Sequence, residues 1–304
     1  MNEDAVSAVI GAMLLLAVGV TFFAAWNAYY VPSMKTQSEI SHIRNVESGF
    51  LRFSSDIETA VSFKRNLRLS EHVQLGGGDF IFSPMKSGGE LRIRNSSSDG
   101  YLVMNWSSKT ISESPDHMFG IARFWYKPVN NFWQDQGYGW SYGNVYVINT
   151  ERNLSTPLQF ATRDDITYDL AGSLFTLESL PASSSPGNCS SITAEAVTIM
   201  PDIRHFQVSG NGNGMLILES DVVAETVPDA TGLSIRIIPP LPDRFNSTLW
   251  DSIDMQVEES LTQCGNIKQI PSPDPTQFLL KFEPFPYPNM TLTEKTTRIT
   301  IGAY

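Results

Sequence analysis

The chain has 304 residues, 41% of them hydrophobic and 17% charged, and its net charge is −11. That length supports one large or two medium domains with a sizeable core. The acidic balance, 32 Asp and Glu against 21 Lys and Arg, argues against a nucleic-acid partner, whose phosphates call for basic groups.

Residues 1–4 are Met-Asn-Glu-Asp, and residues 5–34 carry no charge. A secretory signal has a basic start, a shorter apolar core and a small-x-small cut site. An acidic start and a long run do not fit that plan. The run predicts a retained helix over 5–31, close to the ~20 residues a bilayer core requires. Val6, Ser7, Val9, Ile10, Gly11 and Gly19 belong to its surface. It closes on Trp26, Tyr29 and Tyr30, an aromatic group suited to a membrane–water boundary. Pro32 predicts a kink or a break. A helix that is greasy all round suits the core of a bilayer or of a polymer.

Residues 32–66 predict an amphipathic helical stalk. Ile43, Val46, Phe50, Phe53 and Ile57 recur at steps of three and four and form one apolar stripe. Two partners fit it: the chain's own head, which is the simpler reading, or neighbouring subunits. After residue 66 the pattern changes to short alternating runs broken by Gly, Pro and Asn. Candidate strands cover 79–83, 90–95, 101–106, 121–126, 144–149, 158–162, 174–179, 192–200, 203–209, 215–220, 233–238, 278–283 and 298–304. Residues 209–215, SGNGNGM, predict a hairpin between the strands at 203–209 and 215–220. One helix is expected over 247–263, with a Ser/Thr cap and an apolar face of Leu249, Ile253, Val257 and Leu261. The chain therefore reads as α+β. A long N-terminal helix, transmembrane and then amphipathic, precedes a mainly antiparallel β-sandwich or jelly-roll-like head over 67–304.

No nucleophile elbow, phosphate loop or dinucleotide fingerprint occurs, and His42, His72, His117 and His205 form no ligand pair. Neither an enzyme nor a metal or other cofactor is expected. Cys189 and Cys264 lack zinc-ligand spacing. In an oxidising compartment they predict one disulfide, which chain entropy values at about 4 kcal/mol. Residues 124–146 are dense in aromatics. Phe124 and Tyr126 read as core. Trp133, Tyr138, Trp140 and Tyr142, in a Gly-rich connection, are the candidates for an exposed face that stacks on sugars or on a partner protein. The simpler reading is that alternate residues line the core. Asn95, Asn105, Asn153, Asn188, Asn246 and Asn289 head Asn-x-Ser/Thr glycosylation sequons.

The stretch AVSAVIGAMLLLAVGV (5–20) resembles the N-terminus of archaeal type IV pilin-like proteins, usually VSPVIG followed by a Leu/Val/Ile/Ala run. Ser7, Val9, Ile10 and Gly11 match, and Ala8 stands where proline is usual. The following YYVP, with Glu39 and His42 beyond it, resembles large archaeal surface proteins of this kind. The resemblance implies a leader over 1–4, cut by a prepilin-type peptidase between Asp4 and Ala5, with the apolar helix kept. It names the lipid bilayer and other pilin-like subunits as partners.

Lys35 and Arg44 follow the span and no basic residue precedes it, which by charge alone puts the head in the cytosol. The six sequons, the cysteine pair and the resemblance point the other way and outweigh two charges: N-terminus in the cytosol, head outside. Three functions follow as expectations. One is an archaeal cell-surface protein, anchored by its helix, whose head has a structural or adhesive role. Another is a subunit of a pilus-like filament. The third is a surface carbohydrate- or partner-binding module using the aromatics of 132–142.

Overall fold

A single unbroken helical run opens the computed structural model, which describes residues 3–76, 87–94, 101–129, 135–149, 154–158, 170–183, 186–283 and 289–304. Helix α1 (Glu3–Ala25) leads into one π-helical turn (Trp26–Tyr30) and then helix α2 (Val31–Phe63). Pro32 lacks an N–H and its ring crowds the carbonyl four residues back. The wider turn absorbs that conflict: Val31 N–H bonds to Trp26 O, five residues back, and the helix continues where a kink or break was expected. Lys64 stops α2 in the left-handed conformation at φ 45°, its N–H bonded to Ala60 O at 3.1 Å.

Fifteen strands are described. In chain order they are β1 Leu67–Gln74, β2 Gly88–Arg94, β3 Leu102–Ser108, β4 His117–Phe119 and β5 Arg123–Val129. Next come β6 Gln136–Ser141, β7 Asn144–Asn149, β8 Leu154–Pro157, β9 Phe175–Pro181 and β10 Cys189–Pro201. The last are β11 Gln207–Gly210, β12 Asn213–Ile237, β13 Ile267–Ile270, β14 Gln277–Phe282 and β15 Met290–Ala303. Helix α3 (Asp243–Gln263) lies between β12 and β13. The expected strands at 79–83 and, past Leu158, at 158–162 lie outside the described residues.

The strands form two mostly antiparallel sheets, one of nine strands and one of six in the order β11-β2-β5-β6-β7-β8. The larger is organised by β12. Leu218 pairs with both Leu69 and Ile301, Ala230 with Ser108 and Met290, and Leu233 with Trp106 and Leu280. One edge of β12 thus carries β1 and then β3; the other carries β15 and then β14. The segments expected as separate strands at 215–220 and 233–238 belong to this one strand. Pro228 and Asp229, turn residues on paper, sit at a shift of register between Val227 and Ala230. β10 and β15 pair in parallel.

Two boundaries differ from expectation. SGNGNGM does not close a hairpin: β11 pairs with β2 in the small sheet while β12 pairs with β1 in the large one. The turn passes between sheets and is tied by Leu75 N–H to Gly212 O at 2.8 Å. Helix α3 begins at Asp243, after Pro242 and without a side-chain cap, which adds Phe245 to the buried face of Leu249, Ile253 and Val257.

Helix α2 joins the two sheets. Its stripe of Val46, Phe50, Phe53 and Ile57 is fully buried and Ile43 nearly so. On one side α2 packs along β1 and on the other against β6 and β7. Phe50 meets Phe124 at 5.3 Å and Tyr138 at 6.2 Å, and Phe53 meets Phe124 edge-on at 5.4 Å. Each such burial is worth about 1.5–3 kcal/mol. The stripe is therefore spent inside the chain's own head, and the helix from residue 43 onward is part of that head, not a free stalk. These contacts describe two sheets bridged by a helix; they do not by themselves make the head a sandwich or a jelly roll.

Candidate functional site

Helix α1 is the one long described element with no core of its own. From residue 9 to residue 30 every side chain is exposed, including Leu15 at 77% and Tyr29 at 81%. The helix is long and apolar enough to cross a membrane, and none of its most apolar stretch is buried. Val9, Ile10, Gly11, Gly19, Trp26, Tyr29 and Tyr30 lie on this open surface; Asp4, Ala5, Val6 and Ser7 are helical residues of its first turns. At 23 residues and ~1.5 Å per residue, α1 matches the ~30 Å hydrocarbon layer. Leaving ten large apolar side chains in water forgoes roughly 15–30 kcal/mol. Thr21, a polar residue within the span, donates its hydroxyl to Val18 O at 2.9 Å or Ala17 O at 3.0 Å, so it brings no unsatisfied donor.

The π turn aligns the aromatics at the span's end. Phe22, Trp26 and Tyr30 form a ladder, with ring centres 6.3 Å and then 4.2 Å apart. Rings with one apolar body and one polar tip suit a boundary between oil and water. Below the head, His42 and Glu39 are buried, 2% and 3% exposed. His42 Nε2 lies 2.7 Å from Gln74 O and its ring stands edge-on to Tyr126. Nε2 is thus the donor and Nδ1 the buried, unpaired nitrogen. Burial holds His42 below the usual imidazole range, against the opposing pull of the Gln74 carbonyl and Glu39.

The aromatic surface expected at 132–142 does not exist among the described residues. Tyr138 and Trp140 are fully buried and Tyr142 is 4% exposed; Trp133 lies outside the described residues. What looked like a Gly-rich loop is strand β6. Gly137 and Gly139 let the Tyr126 backbone and the Tyr146 ring lie where a Cβ would be. Trp140 stacks on Phe124 at 5.3 Å and donates to Ser54 Oγ at 3.0 Å, while Tyr138 donates to Glu47 at 3.1 Å. Burial, with the Glu47 carboxylate beside it, raises the Tyr138 phenol above its usual range. Tyr142, at φ 50°, and Gly143, at φ 81°, form a two-residue turn between β6 and β7 that folds the Tyr142 ring under Arg123.

Cys189 and Cys264 form a disulfide with Cα atoms 5.2 Å apart, tying β10 to the end of α3. Asn266, fully buried beside it, bonds to both backbone groups of Cys189 at 2.9 and 2.8 Å. The sequon asparagines divide. Asn246 and Asn289 are exposed, and Asn188 is half-buried next to Cys189. Asn105 lies within β3 with its amide donating to Glu113 at 3.1 Å and Asp116 at 2.9 Å, an arrangement that engages the nitrogen a glycan would need. Asn95 and Asn153 lie outside the described residues. Among the described residues no three or more His, Cys, Asp or Glu side chains gather to hold a metal ion. A buried carboxylate that the sequence did not signal, Glu294, accepts from Trp106 Nε1 at 3.1 Å and pairs with His117 Nδ1 at 2.6 Å.

Compared with protein families, with curated proteins and with solved structures, the chain finds no match.

Proposed function

We propose that the chain is a cell-surface protein held by its N-terminal helix, with the head displayed outside in a structural or adhesive role, in the manner of archaeal pilin-like proteins. The observation that carries this is the contrast within one helix: residues 9–30 are uncharged and entirely exposed, while the apolar stripe of α2 is closed. Lipid covers such a surface without further design. The disulfide and the exposed sequons Asn246 and Asn289 support an oxidising, glycosylating environment for the head.

A second reading is a filament subunit, in which α1 helices cover one another. It is favoured by Gly11 and Gly19, where nothing stands within 4 Å of a Cβ position and a second helix can come close. Mild shearing of cells, followed by immunoblotting of the sedimented shear fraction and the washed membranes, separates the two. Recovery in membranes alone is the expected result. Recovery in the sheared sediment replaces the anchor with the filament.

A further inference from the structure

One cavity in the head has the make-up of a sugar site, and it lies far along the sequence from the aromatics that first suggested one. It measures about 410 Å³ and is open to solvent between α3 and the β13–β14 connection. That volume lies within the ~300–1,000 Å³ of small-ligand sites. Trp250, half-buried, supplies the aromatic wall and is backed by Phe278, ring centres 4.3 Å apart. Asp254, one helical turn beyond Trp250, and Gln269 on β13 add a carboxylate and an amide. Beyond the backbone bonds of their helix and strand, neither side chain makes a hydrogen bond to another described residue.

The opposite wall is already rigid. Pro271 and Pro275 fix two backbone angles of the connection. Asp274 accepts from Thr276 N–H at 2.8 Å and Thr276 Oγ1 at 2.6 Å, and Ser272 Oγ accepts from Asp274 N–H at 3.1 Å. The Gln277 amide is anchored to Ser234 Oγ at 2.8 Å. The cavity needs little ordering on binding, which is where weak ligands lose most affinity.

We propose that this cavity holds a neutral or N-acetylated pyranose. The flat C–H face of the ring would lie on Trp250, and its hydroxyls would donate to Asp254 and bond with Gln269. Asp254 would repel a uronic acid. Two sources share this chemistry. One is a glycan from outside the chain. The other is the glycan of Asn246, which is exposed four residues before Trp250 and so its neighbour on the surface of α3. The inference holds whether α1 lies in lipid or in a polymer.

The test uses the full chain, made without N-glycosylation and held in a detergent lacking a sugar headgroup. Methyl glycosides of glucose, galactose, mannose, N-acetylglucosamine and glucuronic acid are titrated against tryptophan fluorescence, with calorimetry for confirmation. Saturable binding of a neutral or N-acetylated glycoside, but not of the glucuronide, is expected. Trp250→Ala should weaken it about tenfold or more. Asp254→Asn and Gln269→Ala, on the open rim, should weaken it with an unchanged circular dichroism spectrum, which guards against misfolding of the first variant. Binding unaffected by all three overturns the site. If no free glycoside binds, the chain glycosylated at Asn246 is compared with Asn246→Gln by acrylamide quenching. Shielding of Trp250 that vanishes in Asn246→Gln assigns the site to the chain's own glycan; equal quenching overturns the proposal.

Discussion

Helices α1 and α2 are one continuous rod with opposite surroundings. Residues 9–30 expose every side chain, whereas Val46, Phe50, Phe53 and Ile57 expose none. The difference lies in how apolar residues are arranged around the axis. A helix that is apolar on all sides cannot be covered by one globular domain, because a domain reaches only one face. A helix with one apolar stripe can be, and α2 gains two sheets as neighbours. Between them, the π turn at Trp26–Tyr30 keeps the rod unbroken past Pro32. The head is thus joined through an unbroken helical run to a segment that is itself unpacked.

The sharpest way to break this comparison is to cut matching side chains from the two halves. Phe50→Ala should cost the head about 3–5 kcal/mol, read by denaturant unfolding of the full chain in detergent. Leu15→Ala should leave the same transition in place. Equal effects would mean that α1 contributes to the head core. Trp140→Ala belongs with Phe50→Ala, since it also strips Ser54 of its indole partner.

Next in size, replacing both Cys189 and Cys264 with serine should lower head stability by about 4 kcal/mol, the entropy of closing a 75-residue separation. An unfolding midpoint that ignores reductant would show that the bridge is not formed in the native protein. Val18→Arg, by contrast, should act only on α1. A charge at the centre of a span costs about 2.5–3.5 kcal/mol of insertion. The variant should shift toward the alkaline-extractable fraction while its head unfolds as before.

The smallest effect concerns the junction. Burial holds His42 below its ordinary pKa of 6.5, so the folded head keeps it neutral while the unfolded chain takes up a proton. The stability gained from the neutral form is full above pH 6.5 and declines as the pH falls toward the lower folded value. The unfolding midpoint should therefore drop between neutral and mildly acidic pH, and part of that drop should vanish in His42→Gln. Glu39 and Tyr126, which face the ring, remain in both proteins. Identical pH profiles would remove His42 from the account.

Several features were legible in the sequence because they are local. Thirty uncharged residues from 5 to 34 define α1, and steps of three and four define the face of α2. Strands such as β2, β3, β7 and β10 follow from alternation. Features that depend on distant partners were not legible. Gly137 and Gly139 mark a loop until Tyr126 and Tyr146 are seen to occupy the space their missing side chains leave. Pro228-Asp229 reads as a turn unless β15 is seen to pair with β12 on both sides of it, up to Val227 and again at Ala230. Trp250 reads as an ordinary helical residue. Only the return of β13 and β14 past α3 brings Gln269, Pro271 and Phe278 to it and makes a cavity.

By itself, the sequence determined that this chain carries an uncharged helix of bilayer length ahead of an acidic, strand-rich head, because composition and period are properties of neighbouring residues. Which aromatics are core and which line a cavity, and that the α2 stripe faces inward, were decided only by tertiary structure. Burial is set by what else arrives at the same place, and those partners lie far along the chain, as with Glu47 and Tyr138 at a separation of 91 and Trp106 and Glu294 at 188.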